Sequence, residues 1–108
     1  MRLRDTVIAA AGALPITLSV PTSAPAAVGE FQYRGPLGKS HTLLDPLNDE
    51  CIEVPEATDL VPAHSPQNLT DSTATIFRSA GCDGDDYIVM LPGKRLGLLT
   101  GFRSVIFS

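Results

Sequence analysis

The side chains able to do chemistry are few and scattered. His41, His64 and Ser65, together with a carboxylate, are the components of an acyl-transfer site. No serine sits in a G-x-S-x-G elbow, the strained turn that presents a nucleophile. His64 lies between Pro62 and Pro66, in a stretch that reads as a solvated loop. Asp83, Asp85 and Asp86 put three carboxylates in one short segment, and calcium takes several oxygens from one loop. No bidentate Glu stands at the EF-hand distance, and Asp around Gly84 is also what a hairpin turn favours. Asn68-Leu69-Thr70 has the form of a glycosylation sequon. The same two polar residues suit capping of the turn that leads into Thr73. Lys94-Arg95 is the densest positive site, offering either a contact for an acidic partner or solvated loop charge. None of these groups assembles a coherent catalytic constellation, so we expect no catalytic residue, no cofactor and no metal.

The chain positions these groups within 108 residues, one domain or less. Its formal net charge of -4 excludes a nucleic-acid binder that works by bulk charge, because phosphate neutralisation needs clustered Lys and Arg. The N-terminus reads as a secretory signal. Arg2 and Arg4 form a basic start, Val7 to Leu18 is apolar or small throughout, and Ala24-Pro25-Ala26 fits the small-x-small cleavage pattern. A cut after Ala24 would put Pro25 first in the mature chain, so the boundary is placed after Ala26. The alternatives are a membrane anchor or a native helix. The apolar run falls short of the roughly 20 residues that a bilayer requires.

Removing 26 of 108 residues leaves 82, without Arg2, Arg4 and Asp5, and shifts the charge from -4 to -5. All six aromatics, Phe31, Tyr33, Phe77, Tyr87, Phe102 and Phe107, remain. A domain this small benefits from a covalent staple. Cys51 and Cys82 are the only cysteines, and export takes them to an oxidising compartment, so a Cys51–Cys82 disulfide is expected. The rival uses are free thiols or a metal site, and two cysteines without a neighbouring His make a poor zinc site.

Hydrophobic patterning predicts short strands. Glu30 to Arg34 alternates, with Phe31 and Tyr33 on one face. His41 to Leu44 and Cys51 to Val54 follow, each ended by a proline within two residues. Glu56 to Gln67 contains Pro62 and Pro66, lacks a period and reads as a loop. Thr73 to Arg78 is rich in β-branched and aromatic types. Gly81 to Asp86 reads as a turn, Tyr87 to Leu91 as a continuous apolar strand, and Phe102 to Phe107 as the last strand. Short strands between Gly and Pro turns predict an all-β antiparallel sandwich or barrel.

An aromatic-to-glycine spacing recurs. Phe31 precedes Gly38 by seven residues, and Phe77 precedes Gly84 by seven, so that each glycine lets the chain fold back over its ring. With Ser104 in Phe102-Arg103-Ser104-Val105 and Ser65 in the first half, this pattern resembles the Greek-key signature of βγ-crystallins. The resemblance runs from Phe31 to Phe107 and implies a double Greek-key sandwich. Asn68 to Ser72, Cys82-x-Gly84, Pro92-Gly93 and Phe102 to Val105 are similar to small secreted actinobacterial proteins of that fold. One such group is the Streptomyces metalloproteinase inhibitor family. Another is the small adaptor subunit of Streptomyces umbrella toxin particles, which joins a lectin-bearing subunit to a large toxin subunit. The calcium-binding crystallin site wants adjacent Asn/Asp, two spacers and Ser/Thr-Ser, which Asn68 to Thr73 does not supply.

The expectation is a secreted, extracellular, non-enzymatic protein-binding module. The resemblance implies an adaptor between a lectin-like subunit and a large toxin subunit, with no nucleic-acid or membrane partner. The alternative is a secreted metalloproteinase inhibitor, although inhibitors of that pattern carry more than one disulfide. Contacts are expected through the N-terminal segment Ala27, Val28, Gly29, Glu30 and Phe31. Phe31 belongs to the sheet, which leaves Ala27 to Glu30 free to add to a partner's sheet. Lys94, Arg95 and the loops Pro62 to Gln67 and Gly93 to Gly101 complete the expected surface.

Overall fold

The computed structural model describes residues 25–108, so the predicted signal segment falls almost wholly outside the described residues. Among those described, seven strands form two antiparallel sheets. They are β1 (Gly29–Arg34), β2 (Ser40–Leu44), β3 (Cys51–Glu53), β4 (His64–Thr70), β5 (Ala74–Phe77), β6 (Tyr87–Met90) and β7 (Ser104–Phe107). One sheet has the order β2-β1-β4 and the other β3-β7-β5-β6. Each contains a hairpin whose connection includes a short 3-10 turn, Pro36–Gly38 between β1 and β2 and Ala80–Cys82 between β5 and β6. The all-β expectation and six of the predicted strands hold, with ends shifted by one or two residues.

The seventh strand, β4, lies partly where the sequence pattern predicts a loop. β4 runs through Ser65, Pro66 and Gln67, residues that lower strand propensity. Its irregularity accommodates them. Ser65 has φ of 55°, and the pairing with β1 slips by one residue between Gln32 and Arg34, as at a bulge. Pro66 has no N–H to donate, but its carbonyl accepts from Leu96 N–H at 2.9 Å. Gly29 is needed where β1 meets this strand: its φ is 121°, and a Cβ there would stand 2.4 Å from the Leu69 carbonyl oxygen.

Both sheets contribute to one core. Phe31 and Tyr33 point inward from β1, as their alternation predicts. Ala74, Ile76, Met90, Val105 and Phe107 come from the facing sheet, and Phe102 from the segment before β7. The rings of Phe102 and Phe107 meet the Phe31 ring edge-on, at 6.1 and 5.3 Å between centroids. Such edge-to-face pairs add to the burial of the rings themselves.

The recurring aromatic-glycine spacing does not mark equivalent positions. Phe31 is fully buried between the sheets, whereas Phe77 alternates with buried Ala74 and Ile76 and is half-buried on the outer face. A Cβ built on Gly38 would meet nothing within 4 Å. The two serines also differ. Ser104 Oγ donates to the Ser79 carbonyl at 2.6 Å and accepts from Cys82 N–H at 2.9 Å, holding the second hairpin connection on the sheet. Ser65 Oγ instead faces the His64 ring. Ser104→Ala leaves one part-buried carbonyl and one part-buried N–H without these partners. We expect it to cost about 1–3 kcal/mol in urea unfolding, against a few tenths for Ser65→Ala.

The fold shifts the ionisation of the Tyr33 side chain. Burial raises its hydroxyl above the ordinary value near 10, and the negative charge of Glu56 acts in the same direction. The fold therefore favours the neutral phenol. That contribution is complete below the unfolded value and is lost as pH rises through the folded one. Wild type should lose stability relative to Tyr33→Phe above about pH 10, and no such gap should open at neutral pH. Paired thermal melts across that range measure it.

Candidate interaction surface

The two loops expected to make contacts lie side by side. Ala63 and Phe102 exchange both backbone hydrogen bonds, at 3.0 and 2.8 Å. Ser65 N–H donates to the Gly97 carbonyl at 3.2 Å, and Asn68 N–H to the Lys94 carbonyl at 2.9 Å. A Cβ on Gly101 would stand 2.8 Å from Cγ of Pro62, so only glycine lets the chains approach this closely. The loops therefore form one backbone-braced unit.

The turn Thr58 to Val61, which runs directly into the first loop, and the tip of the second are apolar and bare. Leu60 is 93 % exposed, Leu98 69 % and Leu99 96 %, with Val61 half-exposed beside Leu60. Thr58 organises the first tip, its N–H donating to the Val61 carbonyl and its Oγ1 accepting from Val61 N–H, both at 3.0 Å. An Arg103–Asp59 ion pair of 2.9 Å ties the same turn to the segment before β7. Gly97 brackets the second tip through a 3.1 Å bond from Thr100 N–H. Single exposed leucines need no explanation, but apolar tips on braced adjoining loops are how a binding surface limits its ordering cost. The sequence reading points to the second loop as a contact but not to its leucines or to Leu60. The available signal was a Leu pair enclosed by Gly97 and Gly101, where a plain solvent loop would carry polar residues.

The expectation that Ala27 to Glu30 stay free for a partner does not hold. Ala27 is fully buried, and its N–H donates to the Pro46 carbonyl at 2.8 Å. Val28 N–H donates to Asp71 Oδ1 and Gly29 N–H to Asp45 Oδ1, each at 2.8 Å. Both carboxylate-bearing residues return a backbone bond, Asp71 to Val28 and Asp45 to Gly29. Glu30 and Phe31 already pair with β2 and β4 on either side. Two aspartates in turns thus satisfy the donors a partner strand would have needed. Of the five named residues only Val28 and Glu30 keep exposed side chains.

The polar candidates are dispersed. His64 Nδ1 lies 2.9 Å from Ser65 Oγ, while His41 stacks on Tyr33 with ring centroids 5.3 Å apart. Tyr33, His41 and Ser65 border a recess of about 220 Å³ whose lining contains no carboxylate and does not include His64. Asp83 Oδ1 accepts from Gly84 N–H at 2.8 Å, as in a turn. Among the described residues no group of three or more His, Cys, Asp or Glu is arranged to hold a metal ion. Lys94 and Arg95 are exposed at the turn after β6.

Asn68 is wholly buried rather than available for a glycan. Its Nδ2 donates to the Ser72 and Met90 carbonyls at 2.8 and 2.9 Å, and its Oδ1 accepts from Thr70 Oγ1 at 2.7 Å. It does cap the turn into β5, as expected, and it also ties β4 to the end of β6. The disulfide is formed: Cys51 on β3 joins Cys82 in the second hairpin connection, with Cα atoms 5.8 Å apart. Comparison of the chain with protein-family models, with curated proteins and with solved structures finds no match.

Proposed function

We propose that this protein is a secreted, non-enzymatic protein-binding module that acts as an adaptor in an extracellular toxin particle. In that role it joins a lectin-like subunit to a large toxin subunit. The observation that carries the binding role is the pair of braced loops presenting Leu60, Leu98 and Leu99 to solvent. Apolar anchors held in place before binding lose little entropy on docking. A disulfide in a small domain, and the absence of a helix long and apolar enough to cross a membrane among the described residues, are compatible with export.

The fold proposed with this role is a βγ-crystallin-like double Greek key. Its support is the strand order. In β4-β1-β2 and β7-β5-β6 the fourth strand of each half lies beside the first. The third strand of the first half, β3, pairs with β7 of the second, while Arg95 bridges back to Gln67 of β4. The halves thus exchange their third elements.

A second reading, the metalloproteinase inhibitor, draws on the same loop, because a bare segment fixed at its base by Gly97 and Gly101 could enter a cleft. One experiment separates the two. The tagged full chain and a Leu98→Asp/Leu99→Asp variant are used to capture partners from culture medium of the producing organism, with identification by mass spectrometry. The adaptor role requires a very large secreted polypeptide with a lectin-like subunit, recovered at least about tenfold less by the variant. Recovery of a metalloprotease supports the inhibitor, and recovery of neither rejects both.

A further inference from the structure

The β3-β7-β5-β6 sheet ends on β6, whose sequence is Tyr-Ile-Val-Met. Edge strands are ordinarily protected by a charge, a proline or a bulge. β6 contains none of these within its span and pairs in regular register with β5 on its other side. Arg78 N–H donates to the Asp86 carbonyl at 3.0 Å, which fixes the alternation of the ladder. Asp86, Ile88 and Met90 bond inward to β5, so the N–H and C=O of Tyr87 and Val89 face outward from the sheet. Tyr87 is 53 % exposed, Val89 50 % and the adjoining Leu91 63 %.

We infer that β6 pairs antiparallel with β6 of a second copy of this chain, joining the two four-stranded sheets into one. Charge argues for the second copy. The turn Asp83 to Asp86 carries three carboxylates at the entry to β6, and Lys94-Arg95 carries two cations at its exit. Lys94 N–H donates to the Leu91 carbonyl at 3.0 Å, so the turn keeps these cations at that end. A strand acidic at one end and basic at the other complements itself when it is reversed. Two-fold pairing brings each acidic turn to the basic turn of the other copy.

Backbone geometry selects the register. Only outward-facing groups can bond across the new seam, so Tyr87 lies opposite Val89 of the second copy, and Val89 opposite its Tyr87. This arrangement makes four interchain backbone bonds. It also places each Tyr87 ring on the opposing valine, on the same face of the sheet. Ile88 meets its own symmetry mate at the centre. Such a dimer is closed, because the interface uses the same strand on both copies.

Sedimentation equilibrium of the full chain, from about 1 µM to about 500 µM, tests this. Wild type should form a reversible dimer that weakens as salt is added, because the charged turns are exposed. Val89→Pro removes only an outward N–H and spares the β5 ladder, so it should stay folded by circular dichroism and weaken dimerisation at least about tenfold. Val89→Lys should do the same, by placing a charge on the edge, and serves if the proline variant does not fold. A wild type that is monomeric throughout overturns the inference. So does a dimer unaffected by the Val89 variants, or an open-ended polymer in place of a closed dimer.

Discussion

Phe31→Ala is expected to destabilise the domain by about 3–5 kcal/mol, the largest effect of any single substitution considered. The ring is fully buried and touches both sheets: it stands on β1 and meets Phe102 and Phe107 edge-on. Removing it leaves a cavity between two rigid layers that cannot close on it independently. A small domain holds about 0.05–0.15 kcal/mol per residue, so the loss takes a large share of the total. The thermal midpoint should fall by roughly 15–30 °C, or the variant should be unfolded at 37 °C. Phe77→Ala provides the contrast. That ring lies half-buried on the outer face against Tyr87, with centroids 5.6 Å apart, and its removal should cost about 1 kcal/mol. Equal losses in urea titrations of the two variants would mean that the rings do occupy equivalent places, as their spacing from glycine suggests.

The second large effect belongs to the disulfide. Cys51 and Cys82 are separated by 31 positions, and opening that loop should cost about 3–4 kcal/mol in the chain-entropy model. The bond fastens β3, the three-residue edge strand, to the hairpin connection that Ser104 also holds. β3 belongs by sequence to the first half of the chain and by pairing to the second sheet. A reduced chain therefore loses its one covalent link at the crossover between halves. The Cys51→Ser/Cys82→Ser double variant should unfold at a correspondingly lower urea concentration than the oxidised protein. Wild type in excess reductant should match it. If reduction leaves the midpoint unchanged, the strand pairings alone hold the crossover.

Much of the fold was legible because local pattern and burial agree. Alternation in Glu30 to Arg34 put Phe31 and Tyr33 on one face, and that face is the core. The apolar run Tyr87 to Leu91 was legible as a strand but not as an edge. A continuous apolar run ordinarily signals burial on both faces, yet only Met90 of this strand is buried. Whether a strand has one neighbour or two depends on sheet order, which no local window contains. β4 failed in the opposite sense: Pro66 and Ser65 oppose a strand, and pairing with β1 overrides them at one bulge. The free N-terminal segment failed because its partners, Asp45 and Asp71, lie 16 and 43 residues away.

The sequence by itself determined the all-β class, the inward face of β1 and the identity of the disulfide partners, because period, turn residues and a count of two cysteines are local or exhaustive properties. Tertiary structure alone decided which aromatic is core and which is surface. It also decided that Asn68 is structural, that the Pro62 and Gly97 loops form one braced unit, and that β6 is left with an open edge. Each of these is a relation between segments tens of residues apart. It is set by which strands become neighbours when two sheets close over one core, and that choice minimises exposed apolar surface for the chain as a whole rather than for any stretch of it.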